Sequence, residues 1–295
     1  MYQPLFRIMP MLAGAMLAVF ATGPAFAQDA PVPQNDLLNA TLWLSNSVEA
    51  KASSTQGFVL ARIRLDEALA DPSASAVGQT DATAKPPAII LDLDETVIDN
   101  GAYENWLVKT DGSYSSKTYD AWTRDRAAKA VPGAIAFLKY ADSKGVKLFY
   151  VTNRDAKQEE DTRANLEALG APMGGNVDTF LMNKEKQDWG SKKGTRRDFV
   201  AKDYRVVMLV GDNYGDFDDD AAKSEAERLA SLEANMAHIG QDWIFIANPE
   251  YGSFESAPFG HDFKLSPDKR RQMKIDALEA WAGPPPETVE PSKAN

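Results

Sequence analysis

The 295-residue chain has no cysteine. That excludes disulfides, thiolate metal sites and a lipid anchor on cysteine. Histidine is scarce too, with only His238 and His261. Neither sits in the arginine-flanked setting that a nucleophilic histidine uses, and both read as surface residues. Basic residues are in deficit: 32 Lys and Arg stand against 43 Asp and Glu, for a net charge of −11. A nucleic-acid backbone needs a basic face, so it is not the expected partner. No GxxxxGK loop and no internal repeat is present. Long apolar runs are also missing. "MLAGAMLAVFATG", Met11 to Gly23, is short for a membrane span of about 20 residues. Arg7 precedes it and "AFA", Ala25 to Ala27, follows. This reads as an export signal cleaved before Gln28, with a retained N-terminal anchor as the alternative. Lacking cysteine, the exported chain needs no oxidant to fold.

What is present is ordinary for a globular protein, with 44% hydrophobic and 25% charged residues. Residues 36–69 repeat apolar positions at three- and four-residue spacing and are expected to be helical. "DPSASAVGQTDATAKPP" reads as a linker. From Ala88 to about Pro249, apolar strands such as "AIILDLD", "VKLFYVTNR" and "YRVVMLVGDN" alternate with amphipathic helices. That order predicts an α/β fold with a Rossmann-like, mainly parallel sheet.

Polar residues gather at the carboxyl ends of these strands, the edge where open parallel sheets bind ligands. "AIILDLDETVIDN", Ala88 to Asn100, ends an apolar strand in Asp92 and Asp94. Residues two apart in an extended chain share a face, so the two carboxylates converge. Like charges so close need a shared proton, a bound cation or solvent. A hard cation such as Mg²⁺ takes oxygen ligands. "VGDNYGDFDD" offers Asp212 and Asp216 at a second strand end, which favours the cation.

"DLDETVIDNGAYENW" resembles the first motif of the haloacid dehalogenase (HAD) superfamily. Within it the stretch is similar to the class C acid phosphatases, including the lipoprotein e-type 5′-nucleotidases. "FYVTNR" resembles that group's second motif, "VMLVGDNYGDF" its last, and "ANPEYGSFE" a short C-terminal signature. The resemblance runs from about Leu42 to Gly260. It implies that Asp92 is a nucleophile that becomes an aspartyl phosphate, and Asp94 a general acid and base. Asp212 matches a metal ligand, with Asp92, Asp94 and Asp216 completing the Mg²⁺ site. Thr152 and Asn153 match phosphoryl-oxygen donors. The charge-balancing lysine lies in "NKEKQDWGSKKGTRRDF"; spacing back from Arg196 favours Lys193, with Lys192 and Lys184 open.

The resemblance also implies a small α-helical cap after the first motif, at about 95–132. Tyr103, Trp106, Tyr119 and Trp122 fall there and, with Tyr251 and Phe254, are candidates to stack on a substrate or to pack the cap. The expected organisation is a signal peptide at 1–27, a helical arm and linker at 28–87, a core at 88–282 and a disordered tail at 283–295. The implied activity is phosphomonoester hydrolysis at acidic pH, on small esters such as nucleoside monophosphates. A stable membrane anchor is not expected, and a homo-oligomer is left open. A phosphotransferase, or a non-catalytic periplasmic binding or storage protein on the same fold, remains the alternative.

Overall fold

The computed structural model describes residues 35–283, which lie in one compact unit. The expected signal peptide, and the tail beyond Gly283, fall outside the described residues.

The N-terminal stretch forms two helices, α1 (Leu38–Asn46) and α2 (Val48–Ala70), where its periodicity predicts one. Ser47 makes the break. It is extended, and its Oγ accepts a hydrogen bond from the Ala50 N–H at 2.9 Å, which caps α2. α2 buries Ala50, Ser54, Phe58, Ala61 and Leu65, one stripe at three- and four-residue spacing.

β1 (Pro87–Leu91) follows the linker. The chain then leaves the sheet through β2 (Ile98–Asp99), α3 (Gly101–Thr110), α4 (Ser116–Asp125) and β3 (Lys129–Ala130). β2 and β3 pair antiparallel and close the base of this excursion. Next come α5 (Ala134–Ser143), β4 (Lys147–Asp155), α6 (Glu159–Leu169), β5 (Phe180–Asn183), α7 (Gly194–Asp203) and β6 (Arg205–Gly211). α8 (Glu225–Ala234), β7 (Trp243–Phe245), the single turn α9 (Ser253–Ser256) and α10 (Pro267–Asp276) complete the described chain.

The sheet is parallel throughout, in the order β5-β4-β1-β6-β7. β1 is central. Ile89 and Leu91 pack with Phe58, Phe137 and Leu166 on one face, while Ala88 and Ile90 meet Leu181, Val200 and Leu209 on the other. Burial on both faces is why β1 reads as an unbroken apolar run. The strand order reverses at β1, so its carboxyl end opens on the crevice where such folds bind ligands.

α7 lies where apolar periodicity predicts no helix. It buries Arg196, Arg197 and Val200, so two arginines form most of its inner face. Their hydrogen-bond partners, rather than apolar burial, fix it in place.

Candidate active site

Asp92 directly follows β1, and its N–H donates to Val210 O on β6 at 3.0 Å. That bond holds the chain extended past the strand end. The 3₁₀ turn at Tyr214–Asp216 folds Asp216 back toward β6. Asp216 comes so close that a Cβ on Gly211 would lie 2.5 Å from the Asp216 Cβ, so the approach requires glycine. Carboxylate oxygens of Asp92, Asp212 and Asp216 lie within 4.8 Å of one another. Lys193, which leads into α7, donates to Asp92 Oδ1 at 2.5 Å and pairs with Asp216 Oδ1 at 2.7 Å. Asp212 accepts from Thr96 Oγ1 and from Asn248 Nδ2, each at 2.9 Å.

One lysine thus faces three carboxylates. Burial pushes Asp92 up to about 7; Asp216 and Asp94 add to the shift and Lys193 opposes it. Burial, then Asp216 and Asp92, hold Asp212 well above the carboxylate range. Burial works against the charge on Lys193, yet Asp216 and Asp92 keep it above its ordinary value. A hard divalent cation would relieve the remaining repulsion, and an all-oxygen donor set suits Mg²⁺. The residues therefore fit the ion.

Asp94 lives in a different environment. Arg154 donates to its Oδ1 from Nη2 at 2.7 Å and from Nε at 3.0 Å. Tyr119 donates to the same oxygen at 2.7 Å, and Asn100 Nδ2 at 2.8 Å. Burial opposes ionisation, but Arg154, Tyr119 and Asn100 prevail and hold the carboxyl below its ordinary value. Two aspartates two residues apart are thus driven in opposite directions.

Thr152 is fully buried near the end of β4, and its Oγ1 accepts from the Arg154 N–H at 3.1 Å. Asn153 is exposed, donating to Ser191 O at 3.0 Å and accepting from Arg196 Nη2 at 2.7 Å. Of the three lysines, Lys193 joins the aspartates; Lys184 pairs with Asp155 at 2.9 Å and Lys192 is exposed. Tyr103 is buried, hydrogen-bonded to Thr118 at 2.9 Å and edge-on to Tyr119 at 5.3 Å. Trp106 stacks on Tyr103 at 6.0 Å with one face exposed. Trp122 donates from Nε1 to Asn100 Oδ1 at 2.8 Å. Tyr251 lines a cavity of about 400 Å³ with Asp212, Asn213, Phe245, Phe254 and Arg228.

Four contributors escape sequence reasoning. Arg154, Asn100 and Asn248 stand inside quoted motifs, but nothing in their spacing tells what they hold. Arg196 is fully buried and bonds Thr152 O at 2.5 Å and Gly190 O at 2.8 Å, fixing the loop that carries Lys193.

Comparison with known proteins adds to this geometry. The family described as HAD superfamily, subfamily IIIB (acid phosphatase), matches residues 32–254. Two structures of the class C acid phosphatase from Bacillus anthracis, one with tungstate bound, are 36% identical to the chain. Each covers 83% of this chain and 97% of its own, with TM-scores of 0.73 and 0.74. The stem 28 kDa and 31 kDa glycoproteins of Glycine max are 24% identical over 133 residues, 43% of this chain. The match spans 51% and 44% of those proteins, so the chain covers about half the length of the curated relatives it matches.

Proposed function

The chain belongs to the acid phosphatases of subfamily IIIB in the HAD superfamily, and from that membership we propose that it hydrolyses small phosphomonoesters, nucleoside monophosphates among them, through a phosphorylated Asp92 and with Mg²⁺ as cofactor. One observation carries the reading. Asp92, gripped by Lys193 at 2.5 Å, stands beside Asp212 and Asp216 and two residues from Asp94.

With Oδ1 on Lys193, Asp92 offers Oδ2 to phosphorus as the bond to the leaving oxygen breaks. Asp94 gives its proton to that oxygen. It then takes a proton from a water molecule, whose oxygen attacks phosphorus and frees phosphate and Asp92. Lys193 offsets charge on the nucleophile. Thr152 accepts from the Arg154 N–H and keeps its own hydroxyl proton for a phosphoryl oxygen. Asn153 supports it from the end of β4. The side chains of Asp92, Asp212 and Asp216, with the Asp94 carbonyl, are the groups that would hold Mg²⁺. Bound there, the ion would neutralise charge on the phosphoryl oxygens. Trp106 and Tyr251 are aromatic faces for the leaving group, with Tyr103 and Trp122 behind them. The tungstate of the Bacillus anthracis structure supports the reading, since it is a tetrahedral oxyanion like phosphate. We read residues 1–27 as an export signal and the working compartment as periplasmic or extracellular. No helix among the described residues is long and apolar enough to cross a membrane.

The test is phosphate release from p-nitrophenyl phosphate and AMP, with Mg²⁺ or EDTA, for wild type and Asp92→Asn. Release is expected to need the metal and to fall to background in the variant. A wild type silent with Mg²⁺ from about pH 4 to 8 would contradict the reading and favour a binding protein.

A further inference from the structure

The bonds around Asp94 are unevenly shared between its two oxygens. Oδ1 accepts from Arg154 Nη2, Tyr119 Oη and Asn100 Nδ2, all within 2.8 Å. Among the described residues, Oδ2 receives only a shared contact from Arg154 Nε at 3.2 Å. One oxygen is therefore anchored and the other is left the freer of the two. The anchors are themselves fixed. Arg154 Nη1 donates to Thr162 on α6 at 3.2 Å. Asn100 Oδ1 accepts from Trp122 Nε1 at 2.8 Å and from Arg154 Nη2 at 3.2 Å, which orients its amide with Nδ2 toward Asp94. The Tyr119 hydroxyl accepts from Arg154 Nη2 at 3.3 Å, so its own proton points to Asp94.

Arg154 and Asn100 belong to the end of β4 and to the turn after β2, at the base of the excursion. Tyr119 does not: it rides on α4, in the excursion above the sheet, held edge-on by Tyr103 and tilted against Tyr114 at 5.6 Å. We propose that Tyr119 is a positioning residue for proton transfer: from α4 it anchors Oδ1 of Asp94, so that Oδ2 faces the leaving group only when α4 is seated. This rests on the reading of Asp94 as general acid. A tightly held acid places its proton within reach of the leaving oxygen, while a loose one must find that geometry at each turnover.

The readout is leaving-group dependence, because only a poor leaving group needs a well-placed acid. kcat/KM is measured for p-nitrophenyl phosphate and for unsubstituted phenyl phosphate, close in shape but with a more basic leaving phenolate. Tyr119→Phe keeps the ring and its packing. It is expected to lose about 10-fold or more on phenyl phosphate and little on p-nitrophenyl phosphate. Equal losses on both, or none, would overturn the proposal. Asp94→Asn runs beside it and should show the same selectivity more strongly, about 100-fold on phenyl phosphate. If Asp94→Asn is selective and Tyr119→Phe is not, the positioning role alone fails. If neither is selective, the acid role of Asp94 fails and takes the positioning role with it.

Discussion

Lys193 is a buried cation, 5% exposed, bonded both to buried Asp216 and to mostly buried Asp92. Its removal would leave both acids without their lysine counter-charge. Breaking such a buried pair from one side costs about 3–5 kcal/mol. Lys193→Met should therefore lower stability in EDTA by that order, read by urea unfolding, and lower kcat by about 100-fold with Mg²⁺ present. An unchanged kcat would remove Lys193 from the chemistry. The aspartates of this cluster were legible because period-two spacing and the end of an apolar strand are properties of the sequence itself. Lys193 was legible only through its spacing from Arg196. Three lysines compete in that loop, and what separates them is the path of the backbone, which buried Arg196 fixes through Thr152 O and Gly190 O. Arg154 could be read as a letter of a motif but not as the partner of Asp94, since 60 residues separate them.

At the scale of elements, three pieces of chain meet over two buried acids. Thr41 on α1, Glu104 on α3 and Glu250 beyond β7 are each at most 5% exposed. Neither carboxyl oxygen of Glu250 has a hydrogen-bond partner among the described residues, and nor does Thr41 Oγ1. Burial, then Glu104, raises Glu250 to about 8, with nearby Thr41 opposing and Asp99 adding; burial, then Glu255, raises Glu104 to about 7. Both values stand above the 4.5 of a free glutamate. The folded protein thus keeps protons that the unfolded chain releases. The stability this supplies is whole below about pH 4.5 and is lost as pH rises through about 7 to 8. Glu250→Gln keeps the shape and removes the titration. Its Tm is expected to exceed that of wild type near pH 8, with the advantage shrinking toward pH 5. A difference independent of pH would contradict the assignment. None of this junction was legible in the sequence. Glu104 and Glu250 sit in polar stretches, and a buried acid there looks like a solvated one. The break at Ser47 was missed for a related reason: the apolar stripe runs through it, and one capping bond decides the matter.

For the whole molecule, alternation of strand and helix was enough to read the sheet. β1, β4 and β6 are apolar on both faces, a pattern that a parallel, doubly covered strand imposes. The strand order was not readable, yet it puts β1 at the switch point and brings Asp92 and Asp212 together across 120 positions of chain. A chain with net charge −11 gathers four aspartates at that edge. By the proposed route they are there to pass a phosphoryl group through one of them. The most direct test is to mix the protein and Mg²⁺ with ³²P-labelled substrate, quench in acid within the first turnover and map the labelled peptide. Acid-stable label is expected on the peptide that carries Asp92, chased away by unlabelled substrate and absent from Asp92→Asn. Phosphate release that proceeds with no label on Asp92, and survives in Asp92→Asn, would contradict it.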